Sequence, residues 1–210
     1  MPFIDSDFLL DEKKEISRVL ITCADDSNVI KNSFELAKVW HAKGCHVLWI
    51  DGNLGESLPD GMVAHPDLEK VLLGQLPLTQ VLQEVEGISV LTGLSEHFFA
   101  ELSEIKQYQF LQDLNKIYPN FDKVILSVDG KNPILQKKWM GQAESIYLLF
   151  HAKNLLLGRT LTWLQENPLK ASGLIGIGKN EQAVLLAYMR LKEILGNVPE
   201  LILDIKKIAP

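Results

Sequence analysis

The chain predicts an α/β fold, a three-layer, doubly wound and mostly parallel sheet. Three observations carry that expectation. Short apolar segments of strand length alternate with longer segments of helical period from Arg18 almost to the end. The short segments, such as Val19–Thr22 and Val47–Ile50, are apolar or β-branched at consecutive positions, as parallel strands covered on both faces are. No internal repeat or linker divides the chain, so residues 18–210 read as one domain after a lead-in over residues 1–17.

Each element follows from local pattern. In the lead-in, Phe3, Ile4, Phe8, Leu9 and Leu10 are apolar groups able to pack on the domain, and residues 11–16 suit a short helix. Arg18–Cys23 forms the first strand. A helix follows from about Phe34, with Leu36, Ala37, Trp40 and His41 at helical spacing, and Gly44 closes it. His46–Ile50 is the second strand and runs into Asp51-Gly52-Asn53-Leu54-Gly55, after which residues 55–66 form a loop with Gly and Pro. Asp67 is placed to cap a helix whose Leu68, Val71 and Leu72 share a face before Gly74. Leu78, Val81 and Leu82 suggest a second short helical piece.

Ile88–Leu91 is the third strand, and a helix over about 100–117 turns Leu102, Ile105, Phe110, Leu111 and Leu114 inward. Lys123–Val128 is the fourth strand, and Pro133 suits the first turn of the next helix. Ser145–Phe150 is the fifth strand, a helix covers roughly 153–165, and Gly173–Ile177 is the sixth strand. A last helix, Glu181–Leu195, carries Val184, Leu185, Tyr188, Leu191 and Leu195 on one face, and Leu201–Ile205 is an edge strand. Right-handed crossovers then place helices on both sides of the sheet.

Composition narrows the function. With 47% apolar and 23% charged residues, the 210-residue chain is that of an ordinary globular protein with a substantial core. A formal charge of −6 gives no electrostatic reason to bind nucleic acid. No run approaches the ~20 apolar residues of a membrane span, the acidic N-terminus is unlike a signal peptide, and LILDIKKIAP offers no basic amphipathic anchor. The expected location is the cytoplasm, with no direct membrane anchor. Cys23 and Cys45 read as free thiols of a reducing compartment, although neighbouring parallel strands would bring them close.

Several features suggest chemistry at first sight and have plainer readings. The five histidines show no i, i+4 pair with a nearby glutamate, so zinc is not expected. Gly173, Gly176 and Gly178 have the wrong spacing for a dinucleotide loop and suit close helix packing instead. Ser95-Glu96-His97 are too close in sequence to meet as a triad. Asp25 and Asp26 read as a cap and dipole complement at a helix start. Trp40 and Trp49 are core positions; Trp139, next to Lys137 and Lys138, would mark a protein contact if exposed.

The order of segments resembles the MinD/ParA group of P-loop ATPases, which includes flagellar-number regulators. The resemblance runs through the Leu36-Ala37 to Gly44 helix, Asp51-Gly52-Asn53-Leu54-Gly55, Leu68–Gly74, Leu78–Leu82, Gly87–Gly93 and Phe121–Ser127, over roughly residues 18–195. It implies a P-loop NTPase-like sheet. It also implies a site at the turn after the first strand, where that group carries a glycine-rich loop with lysine. Related bacterial tyrosine kinases of capsule export share the middle segments.

Departures fall on the chemistry. The loop here is Ala24-Asp25-Asp26-Ser27-Asn28-Val29-Ile30, without glycine, and the group's lysine position falls at Val29 or Ile30. A slip of one or two residues would recover Lys31 and Ser33 as a remnant. An aspartate ~5 Å from one phosphate charge costs about 3 kcal/mol at an effective dielectric of ~20, so two of them outweigh one displaced lysine. β-branched Val29 and Ile30 also resist the positive φ values of a phosphate loop. Asn53 stands where the group has its second aspartate, and Ser127 where its strand ends in a magnesium-holding aspartate. Asp129, two residues on, points to the same side by strand alternation and would substitute only after a local rearrangement.

The first expectation is therefore a non-catalytic pseudo-ATPase without a cofactor, working on a protein partner that is an active homologue or a second copy as a homodimer. The group's members act as dimers that recruit proteins in division, partitioning, flagellar placement or polysaccharide export. The second is an active or nucleotide-gated ATPase holding ATP and magnesium with Lys31, Ser33, Asp51, Asn53 and Asp129. The third is an unrelated enzyme with its site at the carboxyl ends of the strands.

Overall fold

The computed structural model describes residues 18–24, 29–52, 68–92, 102–130, 133–168, 170–178 and 180–203. The expectations for the lead-in, Asp25, Asp26, Asn53, Asp67, Ser95-Glu96-His97 and the last seven residues lie outside them. Eight strands form one sheet: β1 (Arg18–Cys23), β2 (Val47–Asp51), β3 (Gln83–Val85), β4 (Ile88–Leu91), β5 (Lys123–Val128), β6 (Ser145–His151), β7 (Gly173–Ile177) and β8 (Glu200–Ile202), in the spatial order β3-β4-β2-β5-β1-β6-β7-β8. Every pairing is parallel except β3 with β4. The helices are α1 (Val29–Ala42), α2 (Leu68–Leu72), α3 (Glu104–Ile117), α4 (Pro133–Met140), α5 (Asn154–Glu166) and α6 (Glu181–Leu195).

The direction of travel across the sheet decides which face each helix covers. From β1 to β2 the chain steps one way over β5, and α1 packs on the face made by Val19, Ile21, Trp49 and Ile125. From β4 through β5, β6 and β7 to β8 it steps the other way, and right-handed crossovers put α3 to α6 on the opposite face. There they bury Leu20, Leu48, Leu126, Leu148 and Phe150, with α2 beside them. Among the described residues, α1 is the only helix on its side.

Sequence and structure part in a handful of places, each for a physical reason. The helix expected from Phe34 starts at Val29, because Val29 and Ile30 are 2% and 6% exposed and pack into the α1-side core. Burial outweighs the weak helix preference of β-branched residues. The expected helical piece at Leu78–Leu82 is a single 3-10 turn, Leu78–Gln80, followed by the antiparallel β3–β4 hairpin. Glu86 (φ 52) and Gly87 (φ 77) turn that hairpin in the left-handed region.

Ile105 is 70% exposed, not inward, since α3 buries Gln107, Phe110, Leu114 and Ile117 instead. Leu185 likewise points out, because α6 centres its buried face on Val184, Ala187 and Leu191. Trp139 is 1% exposed and belongs to the core, so it offers no partner contact. Cys23 and Cys45 form no disulfide. Their strands are not neighbours as expected, because β5 lies between β1 and β2.

Glycine packing follows the expectation. A Cβ on Gly176 would lie 2.0 Å from Val184 Cγ1, and one on Gly178 2.7 Å from Val184 Cγ2, so α6 sits directly on β7 there. At the amino end of the sheet, Arg18 pairs with Glu144 at 2.9 Å and lies 5.7 Å from the Tyr118 ring centre. No helix among the described residues is long and apolar enough to cross a membrane.

Candidate functional site

The carboxyl ends of the strands are the ligand edge of an open parallel sheet. Here β1 ends at Cys23, α1 resumes at Val29, β2 ends at Asp51, and β5 ends at Val128 before Asp129 and Gly130. Parallel register sets Asp51 directly beside Ser127, and Ser127 beside Ile21 of β1. Alternation from Trp49 and Ile125 sends both polar side chains to the α1 face. Asp51 is 2% exposed. The Ser127 hydroxyl is fully buried and has no hydrogen-bond partner.

Gly52 continues this edge. Its N–H donates to Ser127 O at 2.8 Å, and a Cβ there would lie 2.4 Å from Val128 Cγ2 and 3.0 Å from Trp139 Nε1. Only glycine lets the end of β2 lie so close to β5. The Trp139 indole N–H, buried close by, also has no partner.

The remaining candidates are dispersed. Lys31 is exposed on the first turn of α1. Ser33 is 0% exposed; its hydroxyl donates to Ile30 O at 3.0 Å and accepts from Trp49 Nε1 at 2.9 Å. The same indole meets Phe34 edge-on, with ring centres 5.6 Å apart. Ser33 is thus tied into the α1–sheet interface, on the same face as Asp51. Asp129 is partly buried beyond the end of β5.

A second cluster caps β1 from the other face, and nothing local in the sequence announces it. Gln136 of α4 is 4% exposed. Its amide N–H groups donate to Thr22 Oγ1 at 2.6 Å and Cys23 O at 3.2 Å, and its carbonyl accepts from Trp163 Nε1 at 3.0 Å. Gly130 closes the same end: a Cβ on it would lie 2.4 Å from Cys23 O. Above this cap an open cleft of about 490 Å³ separates α4 from α5, lined by Lys137, Arg159, Thr162 and Glu166. Gln136 sits 114 residues from Thr22 in sequence, so no spacing pattern could have flagged it.

Among the described residues no three His, Cys, Asp or Glu side chains are grouped to hold a metal ion. What the edge offers chemically is one buried carboxylate, an unpartnered hydroxyl beside it and the amino end of α1. No protein-family model matches the chain, and no curated protein matches it. Solved structures do. The septum site-determining protein MinD of Pyrococcus horikoshii OT3, solved with Mg-ADP, superposes with a TM-score of 0.62 at 17% identity, covering 90% of this chain and 82% of that one.

The fold is that of the MinD/ParA-type P-loop ATPases. MinD of Aquifex aeolicus, solved in complex with MinC, gives a TM-score of 0.63 at 15% identity over 91% of this chain and 83% of that one. Cobyrinic acid a,c-diamide synthase of Mycobacterium smegmatis, with an ATP analogue and magnesium, gives 0.60 at 16% identity over 85% and 80%. On this MinD-type sheet, Asp51 ends β2 and Ser127 lies one residue before the end of β5, the strand between β2 and β1, on the side where α1 begins.

Proposed function

We propose that this chain is a non-catalytic, MinD/ParA-like module that acts through protein contacts rather than by ATP turnover. The observation that carries the reading is the Asp51–Ser127 pair. Ser127 places a neutral hydroxyl next to the end of β5, directly beside the buried carboxylate of Asp51. Magnesium on a triphosphate prefers charged oxygen ligands close to octahedral geometry, and a neutral hydroxyl supplies no compensating charge. Ser33, the other candidate hydroxyl, has both its donor and an acceptor position engaged by Ile30 O and Trp49 Nε1. Ser33 is also 0% exposed, so reaching a cation would require moving it out of that core contact. The donor set does not fit Mg-ATP, and no catalytic step is derived through it.

Fold neighbours act with nucleotide or with a protein partner. MinD was solved with Mg-ADP in one case and with MinC in another. For this chain the protein-partner half is the half its residues favour: an active homologue or a second copy of itself. Isothermal titration with Mg-ATP, paired with a phosphate-release assay, tests the reading. Heat-silent titration to millimolar ATP and no released phosphate are expected. Micromolar binding with magnesium-dependent turnover that Lys31→Ala abolishes would overturn it in favour of an active ATPase.

A further inference from the structure

On its α1 side the sheet is only partly covered by α1. That helix packs on β5, β2, β1 and β4, whereas β6, β7 and β8 carry the sheet on beyond β1. Register sets Leu149, Ile175 and Ile202 in line with Cys23, and Tyr147 beside Ile21, all on the α1 side. Leu149 is 0%, Ile175 2%, Ile202 3% and Tyr147 3% exposed, although β8 is the edge strand. Gly173 is the floor of a depression among them: a Cβ there would lie 2.9 Å from Tyr147 Cδ1 and 3.2 Å from Ile202 Cδ1. The other described helices bury their apolar sides on the opposite face. No described helix therefore supplies the cover that the burial of Ile175 and Ile202 requires.

We propose that residues 1–17 are that cover, docking on the α1-side face of β6, β7 and β8 of their own chain. Place, reach and composition single them out. The lead-in joins the domain at Arg18, the amino end of β1, and β6 is the neighbour of β1. Three strand spacings put β8 ~14 Å from β1, and residues 1–17 reach ~25 Å even when wound as a helix. They carry Phe3, Ile4, Phe8, Leu9 and Leu10, the kind of group that an apolar seat of Tyr147, Ile175 and Ile202 takes up.

Other segments outside the described residues fit less well. Residues 53–67 and 93–101 follow β2 and β4, on the far side of α1 from β8. Residues 204–210 follow β8 itself, but their large apolar groups are Ile205 and Ile208, with Lys206 and Lys207 between them. The seat goes beyond the protein-contact reading above and stands whether or not the chain turns over ATP.

Urea unfolding of the full chain tests it, with binding of a dye for exposed apolar surface as the second readout. A variant carrying Phe8→Ser, Leu9→Ser and Leu10→Ser is expected to shift the folding equilibrium toward unfolding by roughly tenfold or more, the worth of one such buried side chain. Its native state is expected to bind more dye. Ile205→Ser with Ile208→Ser is expected to leave both readouts near wild type. Ile175→Ala is expected to lose less stability in the lead-in variant than in wild type, because its contact has already gone. Leu174→Ala, on the opposite face of β7, is expected to lose the same in both. A lead-in variant as stable as wild type, or an Ile175→Ala loss equal in both backgrounds, would overturn the proposal. So would a loss that follows residues 205 and 208 instead, or wild-type dye binding that rises on dilution, which would make a second copy the occupant.

Discussion

Gln136→Leu is the sharpest test of how the carboxyl edge is held together. Leucine keeps nearly the volume of glutamine, so the substitution opens no cavity and isolates the polar contacts. It removes the acceptor of Trp163 Nε1 and the donors to Thr22 Oγ1 and Cys23 O, all in a buried setting. A buried polar group left without its partner costs about 1–3 kcal/mol. With the indole N–H and the Thr22 hydroxyl the chief losers, the expected cost is about 3 kcal/mol. For a chain of this size that lowers the melting temperature by roughly 6–12 °C. Urea unfolding followed by tryptophan fluorescence gives the free energy directly. Trp163→Phe in the Gln136→Leu background is expected to cost less than it does alone, since the indole N–H no longer has a partner to lose. A Gln136→Leu protein within about 0.5 kcal/mol of wild type would refute the network as a stabilising element.

Gly176→Ala places a methyl 2.0 Å from Val184 Cγ1, and its expected cost of roughly 1–3 kcal/mol is relieved in part by Val184→Ala, measured by thermal melts of both variants. Ser33→Ala strands Trp49 Nε1 and is expected to cost about 1–2 kcal/mol in urea unfolding while leaving any ATP titration unchanged; a selective loss of nucleotide binding would contradict its core role. Burial pushes the Tyr118 phenol up, against the lowering effect of Arg18, and burial with Glu200 pushes Tyr147 up. Because the folded values lie above the unfolded one of ~10, the unfolded chain releases these protons first. Stability is therefore full below about pH 10 and falls above it. Tyr118→Phe removes a buried hydroxyl that has no partner, so it is expected to be at least as stable as wild type at pH 7 and to flatten the alkaline loss in a pH series of melts.

The strands were legible because each is a short continuous apolar run. β1, β4, β5 and β7 fall on the expected residues, and β2 and β6 within a residue of them. Parallel strands buried on both faces need little else to be recognised. Helix faces were less legible, because phase is set by what lies beneath. Leu185 and Val184 are equally apolar in sequence, and only the approach of Gly176 and Gly178 decides that Val184 goes in. β3 escaped because Gln83-Glu84-Val85 has no apolar pattern and exists by pairing with β4. At the edge, the Asp51–Ser127 pairing follows from motif order. The engagement of Ser33 by Trp49 and the Gln136 cap depend on contacts between distant segments, which no spacing rule reports.

The place of β1 in the sheet has a consequence for how the protein comes into being. It is the first of the described strands in chain order, yet its two neighbours, β5 and β6, begin at Lys123 and Ser145. A chain emerging from the ribosome therefore carries an apolar strand with both edges open until more than half of it has been synthesised. β2 waits as well, for β4 on one side and β5 on the other. Such non-local pairing favours slow, all-at-once folding over stepwise growth from the amino end. Cys23 and the start of α1, which flank the carboxyl edge, acquire their neighbours only once β5 and β6 have arrived.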